Sequence, residues 1–309
     1  MSYNILLCSA GRRVKLIQQL QMSLNRNGKI IVTDMDRTAP SMFFADKSYK
    51  VPEISDTDYI EIILNICKNE KIKAITTLID PEIELLAKYK YRFTELGVLP
   101  LLPSLETAEL CIDKLRMYEF LIANNINTVP TYSRVTKLPV FIKPRYGSGS
   151  VGARKIEKEN GLAYIANTEQ YIIQEFMTGD DLAVEFYVDT ISKEIVNYFA
   201  MKKIKTTLGG AIKVVSFKDD NLLDFIINLN KLFQFSGAVD VDLFYQDGKY
   251  FVTEINPRFG GGYVYAHSLG IDFLPLIINN INNKSNKIDF FDYEDQVLMM
   301  MYDEVAVIK

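Results

Sequence analysis

The chain of 309 residues has no tryptophan, one histidine (His267) and three cysteines. A single histidine excludes a His-rich metal centre and makes a Ser-His-Asp triad a poor fit. Cys8, Cys67 and Cys111 are odd in number and widely spaced, which reads as buried free thiols of a reducing compartment, not a disulfide or zinc framework. No apolar run approaches membrane-spanning length and the N-terminus lacks a signal-peptide pattern, so a cytoplasmic protein with no membrane partner is expected. Excess positive charge is also lacking: a net charge of −4 indicates no nucleic-acid partner. Internal repeats and low-complexity tracts are absent, apart from an Asn-rich polar break at 279–287. Apolar residues, by contrast, make up 48% of the chain, enough for two or three sub-structures with cores of their own.

Strand and helix patterns alternate at the start. Residues 4–8 read as an apolar strand, and Ser9-Ala10-Gly11-Arg12-Arg13 turns into a helix carrying Val14, Ile17, Leu20 and Leu24. A strand over 29–32, a helix over 59–67, a strand over 74–78 and a helix over 82–89 follow, which predicts a parallel α/β unit. The helix opening at Gly11 could hold an anion beside Arg12 and Arg13, with solvated charge as the plain alternative. A dinucleotide fingerprint needs G-x-G-x-x-G here and only Gly11 is present, which disfavours NAD.

Pro100 and Pro103 mark a boundary, and Ser104 is placed to cap a single helix over 104–124 that contains Asp113-Lys114. A strand over 139–144 carries Lys143. Gly147-Ser148-Gly149-Ser150-Val151-Gly152 follows, with no amphipathic helix behind it, so it fits strand–loop–strand. Such a loop can lie over phosphates and bind through backbone N–H groups; a plain turn is the alternative. Next come a strand over 171–175, a candidate hinge at Gln174-Glu175-Phe176-Met177, and strands over 182–189 and 194–203. Lys202, Lys203 and Lys205 precede a loop over 206–210 and can meet phosphates or form a solvated face, the second being the commoner case. A helix is expected over 222–233.

Residues 237–262, GAVDVDLFYQDGKYFVTEINPRFGGG, read as a hairpin with acids on both arms. Period-two alternation gives Asp240 and Asp242 one face of the first arm, and Glu254 and Asn256 one face of the second. Acids among so many apolar neighbours need compensation, and Asp, Glu and Asn oxygens suit a hard cation such as Mg²⁺. Arg258 leaves the strand beside them. Asp247-Gly248 looks like a two-residue turn, but a regular ladder from it would point Asp242 and Glu254 to opposite faces. A shared cation therefore predicts a three-residue loop, with Asp242 paired to Val252, Asp240 across from Glu254 and Gly248 at positive φ, or else a bulge that shifts the face by one.

Taken in order, Asp113-Lys114, FIKPRYGSGSVG, IIQEFMTGDD and TEINPR after an α/β domain resemble the ATP-grasp superfamily, most closely single-copy relatives of the carbamoyl-phosphate synthetase large subunit. The resemblance covers nearly the whole chain. It implies an N-terminal parallel α/β domain over 1–102, then a two-lobed ATP-grasp fold with antiparallel sheets over 103–309, with a small glycine-flap lobe at about 130–178. By this resemblance Lys143 and Lys114 contact the phosphates of ATP, Gly147, Ser148, Gly149, Ser150 and Gly152 cover them, Glu175, Phe176 and Met177 hold the adenine, and Asp181 takes the ribose. Asp242, Glu254 and Asn256 bind one or two Mg²⁺, with Mn²⁺ an alternative, and Arg258 steadies an acyl phosphate, so that Arg258 and Lys143 are the catalytic pair. Asp181 is shorter than the glutamate usual at the ribose. The implied partners are ATP, a small carboxylate with amino acids the favoured class, and an amine; a homodimer is open. A catalytically silent regulatory module and a carboxyphosphate- or carbamoyl-phosphate-forming enzyme are the rival readings, and a protein kinase is disfavoured by absent H-R-D and D-F-G signatures.

Overall fold

The computed structural model describes residues 2–135, 137–147, 149, 151–161, 170–207, 210–290 and 292–308. The N-terminal part alternates strand and helix: β1 (Asn4–Cys8), α1 (Val14–Leu24), β2 (Ile30–Asp34), α2 (Ser41–Phe44), β3 (Lys47–Lys50), α3 (Tyr59–Asn69), β4 (Ile72–Thr77), α4 (Asp80–Lys88), α5 (Lys90–Glu95) and β5 (Leu99–Pro100). Its strands form one parallel sheet in the order β3-β2-β1-β4-β5. Helices cover both faces, so β1 and β2 are almost wholly buried and read as continuous apolar runs. Helix α1 buries Leu16, Ile17, Leu20 and Leu24 on one side, and α3 buries Ile60, Ile63, Leu64 and Cys67 on the other. Each such aliphatic side chain withdrawn from water contributes ~1.5–3 kcal/mol.

The single helix expected over 104–124 is instead two, α6 (Leu105–Ile112) and α7 (Lys114–Ala123). Ser104 caps the first as expected, accepting the N–H of Thr107. The break falls at Asp113, whose backbone is extended at φ −99°, ψ 97°. Its carboxylate accepts the N–H groups of Leu115 and Arg116 and so caps α7, which a residue inside a continuous helix cannot do. Arg145 donates to the same carboxylate at 2.7 and 2.6 Å, and Tyr146 at 2.9 Å. Burial opposes the charge of Asp113, but these donors hold its carboxyl below the ordinary range. Lys114 thereby becomes the first residue of α7, tied to the strand that bears Lys143.

A small antiparallel sheet follows, in the order β6-β9-β7-β8, from β6 (Thr131–Tyr132), β7 (Val140–Pro144), β8 (Arg154–Ile156) and β9 (Tyr171–Glu175). Val140, Ile142, Ile156 and Ile173 give it a core of its own. Strands β7 and β8 pair on either side of the glycine segment, the strand–loop–strand arrangement expected there.

The large sheet comprises β10 (Asp180–Val188), β11 (Ile195–Thr207), β12 (Gly210–Ser216), β13 (Gly237–Gln246), β14 (Lys249–Asn256), β15 (Asp289–Phe290) and β16 (Leu298–Met300), ordered β14-β13-β10-β11-β12-β16, with the short β15 beside β11. The loop expected over 206–210 is narrower, because Thr206 and Thr207 belong to β11 and Gly210 to β12; residues 208–209 lie outside the described residues. Between β12 and β13 lies α8 (Asp220–Asn230), which starts earlier than expected because Asp219 caps it. Helices α9 (Tyr263–Ser268) and α10 (Leu274–Ile281) follow β14.

Alternation splits the large sheet into two faces. Leu182, Val184, Phe186, Val239, Val241 and Leu243 form one core with residues of α7 and α8. Ala183, Tyr187, Phe199, Met201 and Ala238 belong to another, shared with α1, α9 and α10. No helix among the described residues is long and apolar enough to cross a membrane. Cys8 and Cys67 are buried free thiols as expected, whereas Cys111 is only partly buried.

Candidate active site

The β13–β14 hairpin decides which side chains meet. Gln246 pairs with Lys249, so the turn has two residues, Asp247 and Gly248, at φ 51° and 76°. Both are left-handed, as a type I′ turn requires. The three-residue loop is therefore not formed, although Gly248 has the positive φ expected of it. The other solution, a bulge, is present: Leu243 pairs with Val252 and Asp242 with Glu254, which leaves Thr253 as an extra residue. Asp242 thus faces Glu254 rather than Val252, and Asp240 faces Asn256 rather than Glu254. Without the extra residue, Glu254 would have turned toward the α8 core. The carbonyl of Thr253 accepts Lys143 Nζ at 3.0 Å.

Carried across the sheet, the register sets out the site in rows. Glu185 pairs with Asp240, and Asp240 with Asn256. One step nearer the small sheet, Ala183 pairs with Asp242, and Asp242 with Glu254. One step further, Lys203 stands beside Asp181, just past the Leu182–Lys202 pair. From α7, Lys114 Nζ approaches Glu254 Oε1 at 3.5 Å and donates to the carbonyl of Gly147 at 2.6 Å. From the small sheet comes Lys143, only 8% exposed, its ammonium pKa pulled down by burial despite Glu254 nearby. Lys203 Nζ lies 2.5 Å from Asp242 and 2.9 Å from Asp181. Burial opposes its charge, but Asp242 and Asp181 outweigh that and hold its pKa above the ordinary range. Lys203, its side chain 13% exposed, is therefore a partly buried ion-pair partner and not a solvated lysine.

Arg258 leaves β14 into a pair with the other domain. Its Nε and Nη2 donate to Asp80 at 2.7 and 3.0 Å, and Nη1 donates to the carbonyl of Phe259 at 3.1 Å and lies 3.9 Å from Asp240. Bidentate pairing of this kind fixes orientation as well as charge. Asp80 opens α4, so the N-terminal domain sets the position of Arg258. Beyond it, Gly260 N–H donates to Glu185 at 3.1 Å, and Arg13 Nη1 donates to the Gly260 carbonyl at 3.0 Å. Arg13, read as an anion-binding candidate, is thus engaged with the glycine loop, and Arg12 is exposed. Glu185 is fully buried with Oε1 unpartnered, and its pKa is raised by burial and then by Asp240. Burial and Asp242 likewise push Asp240 up to about 7, against Arg258 and Lys203. A Cβ on Gly260 would fall 2.6 Å from Asp240 Cγ and overlap Glu185 as well. Gly260→Ala is expected to cost ~1–3 kcal/mol through overpacking, read as a lower denaturation midpoint; an unchanged midpoint would show that the loop can move aside.

Gly147, Gly149 and Gly152 have φ of 116°, 68° and 79°, the region where side chains are strained, while Ser148 and Ser150 lie outside the described residues. Glu175, Phe176 and Met177 join the small sheet to β10. Glu175 accepts the Tyr132 hydroxyl at 3.0 Å, Phe176 lies under Lys155 Nζ at 4.3 Å, and Met177 is buried.

The sequence matches two family profiles, PylC-like N-terminal domain over residues 5–101 and ATP-grasp domain over residues 111–262. The chain carries an ATP-grasp domain behind a PylC-like N-terminal domain. No curated protein sequence matches it. Among the solved structures that share this fold are the following three. The biotin carboxylase domain of 2-oxoglutarate carboxylase from Hydrogenobacter thermophilus, solved with MgADP, ADP and bicarbonate, is 14% identical with a TM-score of 0.73, over 96% of this chain and 74% of that one. L-amino acid ligase from Bacillus licheniformis is 16% identical, TM-score 0.70, over 92% and 75%. N5-carboxyaminoimidazole ribonucleotide synthetase from Thermotoga maritima is 19% identical, TM-score 0.69, over 93% and 78%.

Lys114, Lys143, Asp181, Asp242, Glu254, Asn256 and Arg258 thus come together around one face of the large sheet, and Glu175, Phe176 and Met177 lie where β9 passes into β10. Asp80, Glu185 and Lys203 went unread as site residues. Period-two spacing from Asp181 would have found Glu185, but no local pattern marks Asp80 as the partner of an arginine far along the chain. Among the described residues no group of three or more His, Cys, Asp or Glu side chains is placed to hold a metal. The candidate set is two carboxylates and an amide, with nucleotide phosphates left to complete a shell. That donor set fits Mg²⁺, which is commonly bound by one or two carboxylates plus substrate phosphates.

Proposed function

We propose that the chain is an ATP-dependent carbon–nitrogen ligase. It transfers the γ-phosphoryl group of ATP to a small carboxylate, with amino acids the favoured class, and an amine then attacks the acyl phosphate, releasing phosphate. The observation that carries this reading is the face on which Lys114, Lys143 and Lys203 ring two carboxylates and an amide, with Arg258 at the deep end. The shared fold with an L-amino acid ligase supports the substrate class.

Phosphoryl transfer asks a protein for positioning and electrostatic stabilisation more than for acid–base groups, so one histidine suffices. In this reading Lys143, seated on the bulge carbonyl, and Lys114, seated on the Gly147 carbonyl, neutralise phosphate oxygens from the small-sheet side. The glycine segment supplies N–H groups and excludes water. Asp181 holds the ribose, and Glu175, Phe176 and Met177 border the adenine. Asp242, Glu254 and Asn256 would hold Mg²⁺, which when bound offsets the charge of the triphosphate. Arg258, oriented by Asp80, faces the carboxylate being activated and holds its acyl phosphate.

Trapping tests the reaction class. With ATP, Mg²⁺ and a panel of amino acids, hydroxylamine should convert the acyl phosphate to a hydroxamate in step with ADP formation. ADP formed with a competent carboxylate but never accompanied by hydroxamate would overturn carboxylate activation.

A further inference from the structure

We propose that Lys203 is the resident counter-ion of the nucleotide-free site, standing where the divalent cation will act, so that the carboxylates accept a metal readily only together with a nucleotide. This rests on the reading of Asp242 and Glu254 as cation ligands. Lys203 lies on β11 and Asp242 on β13, two strands apart with β10 between them. A side chain crosses that gap only where the intervening residue is small. The residue of β10 that pairs with both Met201 of β11 and Asp242 of β13 is Ala183, buried and ending at its methyl. Over it the lysine reaches Asp242 Oδ1 at 2.5 Å while keeping Asp181 Oδ1 at 2.9 Å. Its side chain is only 13% exposed, against 36% and 29% for the two aspartates, so the ammonium sits beneath the carboxylates it bridges.

The charges make this a competition. One ammonium between two carboxylates leaves the trio with a single negative charge, and a lone divalent cation must dislodge it to use Asp242 fully. A metal arriving with its nucleotide changes the balance, because the triphosphate offers the displaced ammonium new anionic partners a short swing away. Lys203 then passes from the carboxylates to the phosphates, and its removal should affect the site with and without nucleotide in opposite senses.

The test is Mn²⁺ titration of the full chain, followed by electron paramagnetic resonance, without nucleotide and with saturating ADP. Lys203→Met and Lys203→Gln are compared with wild type, with circular dichroism to confirm the fold; the glutamine variant retains a polar tip should methionine not fold. Without nucleotide, the chargeless variants should bind Mn²⁺ about tenfold more tightly than wild type. With ADP the advantage should vanish or reverse. Unchanged or weaker Mn²⁺ binding without nucleotide in a folded variant, with normal Mn²⁺ binding when ADP is present, overturns the counter-ion role alone. Absence of Mn²⁺ binding to wild type even with ADP overturns the cation-site reading and the counter-ion role with it.

Discussion

Glu254→Gln is expected to lower ATP-dependent phosphate release on the order of 10²–10³-fold, the range typical for loss of one preorganised electrostatic group. The substitution keeps side-chain length and shape and removes one charge opposite Asp242. Glu254 is the site carboxylate nearest Lys114, at 3.5 Å, so its loss unbalances the cation ligands and the lysine together. Its side chain is 27% exposed, and breaking a pair of this length should cost no more than about 1 kcal/mol of stability. The informative measurement is phosphate release at saturating Mg²⁺ beside a denaturation curve. Near-normal turnover in a folded variant would remove Glu254 from the site.

Asp80→Ala should have the largest effect on stability. It leaves the Arg258 guanidinium, 11% exposed, without its bidentate partner. What remains is the Phe259 carbonyl at 3.1 Å and Asp240 at 3.9 Å. Removing one member of a buried pair costs ~3–5 kcal/mol, because the other stays buried and uncompensated. In urea this should appear as a lower midpoint with an unchanged slope. Turnover should fall as well, since Arg258 is then free to turn toward Asp240. An unfolding free energy within about 0.5 kcal/mol of wild type, the ordinary scatter of surface changes, would show that Arg258 does not depend on Asp80.

The fold was legible where local patterns and burial agree. Residues 4–8 and 171–175 carry short strand patterns and form strands with those limits. The break at Asp113 was not read, because an aspartate inside an apolar helical pattern does not by itself mark a cap; its carboxylate caps α7 and is held there by Arg145, which follows β7. The hairpin shows both sides. Local turn chemistry correctly gave Asp247-Gly248 as the two-residue turn, while the shared face of Asp242 and Glu254 required an irregularity, and Thr253 supplies it. Lys203 was misread because three lysines in a run look solvated; only the neighbouring strands reveal that one of them points at two aspartates.

The apolar cluster of α1, β1 and β2 continues without interruption into α9, α10 and the large sheet, through Phe259, Tyr263, Phe273 and Tyr187. Polar ties run the same way, from Gln19 to the Val264 carbonyl and from Ser23 to His267. The prolines at 100 and 103 therefore punctuate the chain without dividing it mechanically: the N-terminal α/β unit and the large sheet behave as one anvil. The small sheet, with its separate core, is the hammer. Among its contacts with the anvil are the polar ones of Lys143 to Thr253 and Arg145 to Asp113, and those can be exchanged for contacts to a bound nucleotide. A protease should accordingly nick the small-sheet segment before the stretch after Pro103, in spite of the sequence punctuation there.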